Sequence, residues 1–202
     1  MQRVKQLLSY LLIAGGSVLL FQGARSFLES RFGQSVAERE FEVPPSTRSQ
    51  PVEGAPPLGD PVAKLVFPRL GAQLYVVEGA DSRELLRGPG HMSGTAMPGT
   101  SGNCVIAGHR DTHFRILKDI RRGDAILLET RNGQYVYRVN NLRVVSPSNT
   151  SALQPTADAE LNLITCYPFY YVGAAPKRFV VEAGLDAAAS ASAGRSVTQS
   201  GS

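Results

Sequence analysis

From Val62 onwards the chain is a succession of short apolar runs separated by turn residues. The runs are rich in Val, Leu, Ile and Tyr and are bounded by Gly, Pro, Asn or Asp, which is typical of β-strands. Asn132-Gly133 is a strong hairpin signal between two of them. With little helix in between, the pattern predicts an all-β domain, a closed or nearly closed β-barrel rather than alternating strands and helices. The predicted strands are 62–67, 72–77, 103–107, 125–130, 134–145, 161–165 and 178–183.

Two short helices are predicted between the strands. The first begins at Asp81 or Ser82, which can cap it, and ends before Gly88-Pro89-Gly90. The second covers Thr112 to Ile120, where apolar residues recur at offsets of three on one face. His113 lies off that face, so we expect it to point to solvent.

The segments before and after this domain differ in composition. Residues 1–24 predict an N-terminal transmembrane helix: Leu7 to Phe21 is mostly apolar, and the run from Val4 to Ala24 reaches the length needed to span a bilayer. A cleaved signal peptide is the alternative, but an Ala-x-Ala-like cleavage site is missing after Phe21. Residues 25–61 predict a helical stalk and a Pro-rich linker, 62–184 the folded domain, and 185–202 a disordered Ala/Ser/Gly-rich tail.

Charge and cysteine content exclude several classes of function. The 21 Lys and Arg against 17 Asp and Glu leave a net charge of +4, and the basic residues are scattered. Nucleic-acid binding is therefore not expected. The two cysteines form no CxxC motif and no Cys/His cluster, so neither a metal site nor a cofactor is predicted.

Three predicted strands carry a reactive or charged side chain at one end. Cys166 follows the apolar strand 161–165, His109 follows 103–107, and Arg178 begins the last strand. An imidazolium favours the thiolate and can later protonate a leaving amine, and a guanidinium can stabilise an oxyanion. Each residue alone would usually be structural. Together they form a complete set for acyl transfer from an amide through a thioester, which water or an amine would resolve.

The state of the two cysteines affects this hypothesis. If Cys104 and Cys166 were both exported and close in space, a disulfide would be possible. A nucleophilic Cys166 must instead be free, with Cys104 as a small buried residue. We favour two free thiols.

The residues at the three strand ends resemble the motifs of the sortases, a family of membrane-anchored cysteine transpeptidases. The family's Thr-Leu-x-Thr-Cys motif appears as Asn162-Leu163-Ile164-Thr165-Cys166, with Asn162 in place of the first Thr. The His segment appears as Ala107-Gly108-His109-Arg110-Asp111-Thr112, and the Arg strand as Lys177-Arg178-Phe179-Val180-Val181. The segment from Gly88-Pro89-Gly90-His91 through Pro98-Gly99 looks like the approach to the His strand in class D-type sortases. Tyr167-Pro168-Phe169, with the short loop between Cys166 and Arg178, looks most like the sortases of Gram-negative bacteria.

The resemblance implies a fold and a reaction. The fold is a closed eight-stranded sortase-type β-barrel with the site at one end, and no metal or cofactor is needed. Cys166 would cleave a client protein at the Thr–Gly bond of a C-terminal LPxTG-like sorting signal and pass the acyl group to an amine acceptor. His109 would be the acid and base, and Arg178 would hold the substrate or the oxyanion. The enzyme would sit in the cell (inner) membrane by a single span, with its catalytic domain facing the periplasm or the outside.

Three further residues are candidates for substrate binding. Thr165 occupies a family motif position beside the thiol, His91 lies in a Gly/Pro bend, and Asp111 could orient His109 or cap the following helix. The loop Ser146 to Glu160 corresponds to the family segment that reads the sorting signal.

Two other functions remain open at this point. A membrane-tethered cysteine peptidase would hydrolyse the same thioester, and a non-catalytic β-domain would only bind a peptide. The L,D-transpeptidases and the papain-like enzymes are not supported, because their Cys signatures are absent from the chain.

Overall fold

The barrel predicted from the sequence is present in the computed structural model, which describes residues 2–42, 55–171 and 173–192. Eight strands close in the order β1-β2-β3-β4-β7-β8-β6-β5. β3 was not predicted, because two residues within a Gly/Pro segment show no periodicity. The strands are β1 Pro61–Phe67, β2 Ala72–Glu78, β3 Gly90–His91, β4 Gly102–Gly108, β5 Ala125–Thr130, β6 Gly133–Val145, β7 Ala159–Tyr167 and β8 Lys177–Leu185.

The barrel interior is filled by alternate residues of the strands. On β1, for example, Ala63, Leu65 and Phe67 point inward and are at most 2% exposed. Burying one such Leu or Phe side chain stabilises the fold by about 1.5–3 kcal/mol. The same alternation fills the core from every long strand, with Ile106, Ile126, Leu128, Tyr137, Leu161, Leu163 and Val181.

The shorter helices partly follow the sequence prediction. α2 spans Ser82–Arg87 as expected. The second helix is a 3₁₀ helix, His113–Asp119. The expectation that His113 faces solvent was wrong: its side chain is 6% exposed. The reason is the tight turn before it, in which the N–H of Phe114 donates to the carbonyl of His109 and folds the start of the helix onto the barrel.

A long N-terminal helix, α1 (Gln2–Glu42), docks on the barrel with its C-terminal end. The side-chain amide of Gln34 donates to the carbonyl of Tyr75 (2.9 Å) and its oxygen accepts from the N–H of Tyr75 (2.7 Å). Gln34 thereby satisfies backbone groups of β2 that an edge strand would leave unpaired. Gly33 permits the close approach, since a Cβ there would lie 2.5 Å from the Cα of Arg87. The predicted stalk is therefore a docked helix, at least to Glu42.

Upstream of this contact the helix has an apolar, exposed surface. Side chains between Tyr10 and Phe21 are well exposed, including Leu20 at 77%. In the described part of the chain, however, no helix meets the length and hydropathy that a bilayer crossing requires.

The C-terminal segment is ordered beyond the predicted start of the tail at residue 185. Leu185 still belongs to β8, and residues 187–192 form a helical turn. Asp186 holds this turn, because its N–H donates to the carbonyl of Val136 (2.7 Å) and its carboxylate accepts from the N–H of Ala189 (3.1 Å). The remaining ten tail positions, 193–202, and linker residues 43–54 lie outside the described residues.

Candidate active site

The strand register brings the three predicted catalytic residues to one end of the barrel. β4 and β7 are parallel neighbours with Gly108 opposite Thr165. The next residue along each of these two strands is His109 and Cys166, respectively. β8 runs antiparallel on the other side of β7, where Arg178 is the direct partner of Cys166. Adjacent strands lie about 4.8 Å apart. Cys166 therefore lies between His109, at the end of one neighbouring strand, and Arg178 on the other.

The alternation along the strands also defines which face leads to the thiol. Leu161 and Leu163 point into the barrel, so Asn162, Ile164 and Cys166 point out. On β4, Cys104 and Ile106 point inward, which leaves Val105 and Ala107 on the outer face. Val105 is buried, and Ala107 and Ile164 are half-buried, so the outward residues nearest Cys166 on these two strands are apolar.

Cys166 is half-buried and free, whereas Cys104 is buried and free. Cys104 lies opposite Leu161 and on the inner face. The five-residue offset between Leu161 and Cys166 corresponds to about 16 Å along the strand, far beyond the reach of a disulfide. Burial, and secondarily the charge of Glu78, raises the pKa of the Cys104 thiol to about 12. The prediction of two free thiols is confirmed.

Thr165 points into the barrel. Its side chain is 2% exposed, and its hydroxyl donates to the carbonyl of Gly108 at 2.7 Å. The hydroxyl thus ties the Cys strand to the His strand, and the role of Thr165 beside the substrate stays a prediction. The alternation already implied the inward direction, since the neighbour of an outward Cys166 must face inward.

Phe114 fixes the His109 turn through packing against Gly108 and a backbone hydrogen bond. The Phe114 ring is fully buried and lies against Gly108, where a Cβ would stand 2.7 Å from two of its ring atoms. The N–H of Phe114 also donates to the carbonyl of His109 at 2.9 Å. Glycine at position 108 thus allows the ring to pack directly beneath the end of β4.

Arg178 sits at the start of β8, beside an aromatic cluster. Its Nη1 donates to the carbonyls of Lys177 (3.1 Å) and Ala175 (3.4 Å), so it also supports the end of the β7–β8 loop. Phe179 stacks with Tyr167 at a centroid distance of 6.2 Å and packs edge-on against Phe169 at 5.4 Å. These rings fix both ends of the loop that joins Cys166 to Arg178.

A contact between distant parts of the chain joins the His segment to the β7–β8 loop. Nη2 of Arg110 donates to the carbonyls of Tyr171 (2.8 Å) and Gly173 (3.0 Å). Beside it, Nζ of Lys118 donates to the hydroxyl of Tyr170 at 3.0 Å. The hydrogen bonds from Lys118 and then Arg115 lower the pKa of the Tyr170 phenol. The partners of Arg110 lie some sixty positions later in the chain, which is why local patterns miss them.

His91 is not at the site surface, so its predicted role in lining a groove is corrected. It is 2% exposed, with Nδ1 hydrogen-bonded to the carboxylate of Glu78 at 2.7 Å. Glu78 also accepts from the hydroxyl of Ser93 at 2.7 Å. β3 places His91 between β2 and β4, where the pair is a satisfied polar contact within the barrel wall.

Asp111 is exposed, and among the residues that the structure describes no hydrogen bond joins it to His109 or caps the following helix. It lines a cleft of about 610 Å³ between α1 and β2, together with Gln34, Glu38 and Tyr75. The cleft flanks the His109 turn.

The described residues contain no group of three or more His, Cys, Asp or Glu that could hold a metal ion.

Comparison with known proteins gives a consistent family. A protein-family model described as "Sortase domain" matches residues 65–186. Sortase D of Bacillus subtilis is 37% identical over 127 residues, covering 62% of this chain and 64% of that protein. Sortase SrtE1 of Streptomyces coelicolor is 36% identical over 129 residues, covering 54% of this chain and 37% of that protein. The chain thus matches less than two thirds of the length of each of these relatives.

Solved structures agree with the sequence comparison. The structure of a Clostridium perfringens sortase D5 transpeptidase superposes with a TM-score of 0.64 at 27% identity, covering 78% of this chain and 98% of that one. The catalytic domain of sortase D from Bacillus anthracis superposes with a TM-score of 0.56 at 33% identity, covering 69% and 95%.

Proposed function

The chain belongs to the sortase family, and from this we propose that it is a membrane-attached cysteine transpeptidase. Its substrate would be a client protein with a C-terminal LPxTG-like sorting signal, and its second substrate an amine. The observation that carries the proposal is the register at one barrel end, where Cys166 stands between the end of the His109 strand and Arg178.

The reaction follows from the three side chains. The Cys166 thiolate attacks the carbonyl carbon of the Thr–Gly bond, and the negative charge moves to the carbonyl oxygen. Arg178 is always cationic and offers several N–H donors, so it stabilises that oxyanion or holds the substrate beside it. As the C–N bond breaks, protonated His109 gives its proton to the leaving amine. A thioester on Cys166 remains.

The second half returns the enzyme to its starting state. The acceptor amine attacks the thioester carbon, His109 takes a proton from that amine, and the C–S bond breaks to release the new amide. Water in place of the amine would give hydrolysis, as in the peptidase alternative.

The test is turnover of an LPxTG-type peptide by the purified chain, with and without an added amine. Replacement of Cys166 by Ala should abolish cleavage, and replacement of His109 by Ala should nearly do so. Arg178→Lys should lose most activity, because an ammonium cannot copy the fork of a guanidinium. Cys104→Ala is the matched control, since that thiol lies inside the barrel, and it should retain activity.

The outcomes separate the three functions. Amide formation with the amine supports transpeptidation, whereas hydrolysis that no amine alters would favour the peptidase. Peptide binding without any turnover in the native chain would favour the non-catalytic domain. Full turnover in the Cys166→Ala protein would refute the mechanism.

Attachment to the cell (inner) membrane through the N-terminal part of α1 is also part of the proposal, with the catalytic domain on the outer or periplasmic side. The exposed apolar side chains between Tyr10 and Phe21 support it, because such a surface is costly in water. Flotation of the chain with phospholipid vesicles tests it. The double replacement Leu19→Glu and Leu20→Glu should abolish flotation, and equal flotation of both proteins would contradict the assignment.

A further inference from the structure

Two buried asparagines lie on the outer faces of β4 and β7, away from the end of these strands that carries Cys166. Asn103 on β4 is 4% exposed and Asn162 on β7 is 3% exposed. They are covered by the loop between β6 and β7, residues 146–158, whose Ala152 is also buried. Amide side chains are rarely buried unless they are hydrogen-bonded, so their partners show what they hold.

The two side chains form a chain of hydrogen bonds that ends on this loop. Nδ2 of Asn162 donates to Oδ1 of Asn103 at 2.8 Å. Nδ2 of Asn103 then donates to two loop carbonyls, those of Ala152 (2.8 Å) and Gln154 (2.9 Å). Asn162 fixes the orientation of the Asn103 amide, and Asn103 fastens the middle of the loop to β4.

The arrangement is not what stability alone would select. Oδ1 of Asn162 is buried and has no hydrogen-bond partner within the described residues. An unsatisfied buried acceptor costs stability. The sortase Cys motif has Thr at this place, a smaller residue that would leave no amide oxygen stranded. The gain from Asn162 is therefore the support of Asn103, and through it the position of the loop.

The position of this fastening matches the length of a short extended peptide. Asn162 and Cys166 are four residues apart on β7, or about 13 Å at strand geometry. A peptide whose scissile carbonyl lies at Cys166 and which runs beside β7 would span that distance with about four residues. Its far end would then meet the loop segment that Asn103 holds.

We propose that Asn103 and Asn162 are positioning residues that hold the β6–β7 loop where it binds the part of the sorting signal upstream of the cleaved bond. This inference rests on the proposed function, since it assumes that the chain cleaves such a peptide. Asn103 touches the loop and Asn162 touches Asn103, and neither side chain is bonded to the reacting residues, so the pair controls peptide binding and leaves the reactivity of the thiol unchanged.

The experiment compares Asn103→Leu, which is similar in size and removes both donors to the loop, with Asn162→Thr. Asn132→Ala, in the exposed β5–β6 turn, is the control. For Asn103→Leu we expect KM for an LPxTG-type peptide to rise roughly tenfold, the effect of losing one or two neutral hydrogen bonds. kcat should stay within about threefold of the parent value, and Asn162→Thr should shift KM in the same direction but less. Alkylation of Cys166 by iodoacetamide should proceed at the parent rate in all of them.

Hydrogen–deuterium exchange gives a readout that does not depend on turnover. Residues 147–158 should exchange faster in Asn103→Leu, while β4 and β7 remain protected as in the parent. If Asn103→Leu does not fold, the Asn162→Thr protein decides the matter by the same two measurements. An unchanged KM in a folded variant, with or without faster exchange, would overturn the inference. A parent chain that cleaves no LPxTG-type peptide would instead overturn the proposed function.

Discussion

Replacing Gly108 by alanine tests how the His109 turn is built. The added Cβ would lie 2.7 Å from Cγ and Cδ2 of Phe114 and 3.1 Å from Cε2, well inside ordinary contact distance. Phe114 is fully buried and cannot swing away without disturbing the core around it. Overpacking of this kind costs about 1–3 kcal/mol. A loss of about 2 kcal/mol corresponds to a fall in Tm of about 4–8 °C for a domain of this size.

A double-mutant cycle with Phe114→Ala separates this clash from a general effect of alanine. Phe114→Ala alone should cost about 3–5 kcal/mol, because it empties a packed site. In that background Gly108→Ala has no ring to meet, and its methyl group fills part of the cavity, so its cost should vanish or change sign. The coupling between the two changes should therefore exceed about 1 kcal/mol.

The assay is denaturant unfolding of the purified chain followed by far-UV circular dichroism, since the chain contains no Trp. The free energies of unfolding of the four proteins complete the cycle. Additivity within about 0.5 kcal/mol would refute the packing argument. So would a Gly108→Ala protein as stable as its parent.

Three other predictions concern a buried thiol, an ion pair and a loop contact. In the folded chain at pH 8 a thiol reagent should modify Cys166 only, because burial raises the pKa of Cys104 to about 12, and two modified thiols before unfolding would contradict this. Arg69 lowers the pKa of Asp124 in the folded chain through a side-chain hydrogen bond. The bond therefore stabilises the fold at pH values above the pKa that Asp124 has in the unfolded chain. This stabilisation is lost as the pH falls through the lower pKa of the folded chain. Arg69→Ala should thus reduce the free energy of unfolding at pH 7 but not at strongly acidic pH, and an equal loss at both would exclude the ion pair. Arg110→Ala should accelerate hydrogen exchange in the β7–β8 loop, where it removes two hydrogen bonds to loop carbonyls, and unchanged exchange would show that the loop holds itself.

The strands and the three strand-end residues could be predicted because they depend on local patterns. Alternation and turn residues locate β4, β7 and β8, and each strand has its candidate catalytic residue next to a break in the pattern. The inward direction of Thr165 was also available from alternation, once Cys166 is placed on the outside. The comparison with the family motif did not reveal this direction, because a motif position carries no information on where a side chain points.

Other features depend on contacts between distant parts of the chain. The burial of His91 requires Glu78 on a different strand, and β3 exists only through its pairing with β2 and β4. In the sequence Asn103 is only the first residue of a predicted strand. Its hydrogen bonds to the loop exist only because Ala152 and Gln154 fold over it. A single sequence contains no periodic signal for pairs of this kind.

The docking of α1 determines the distance and orientation of the barrel relative to the apolar N-terminal segment. The helix is continuous from the exposed apolar segment that ends at Phe21 to Gly33, where it meets the barrel, a rise of about 18 Å. A flexible tether would let the catalytic end sample every height up to its full length. A helix that is fixed to the barrel by the Gln34 amide instead holds the Cys166 end of the barrel at one distance and one orientation relative to the apolar segment. If the apolar segment inserts in a bilayer, as proposed above, the search for the proposed substrates becomes two-dimensional, confined to a thin layer above the lipid surface.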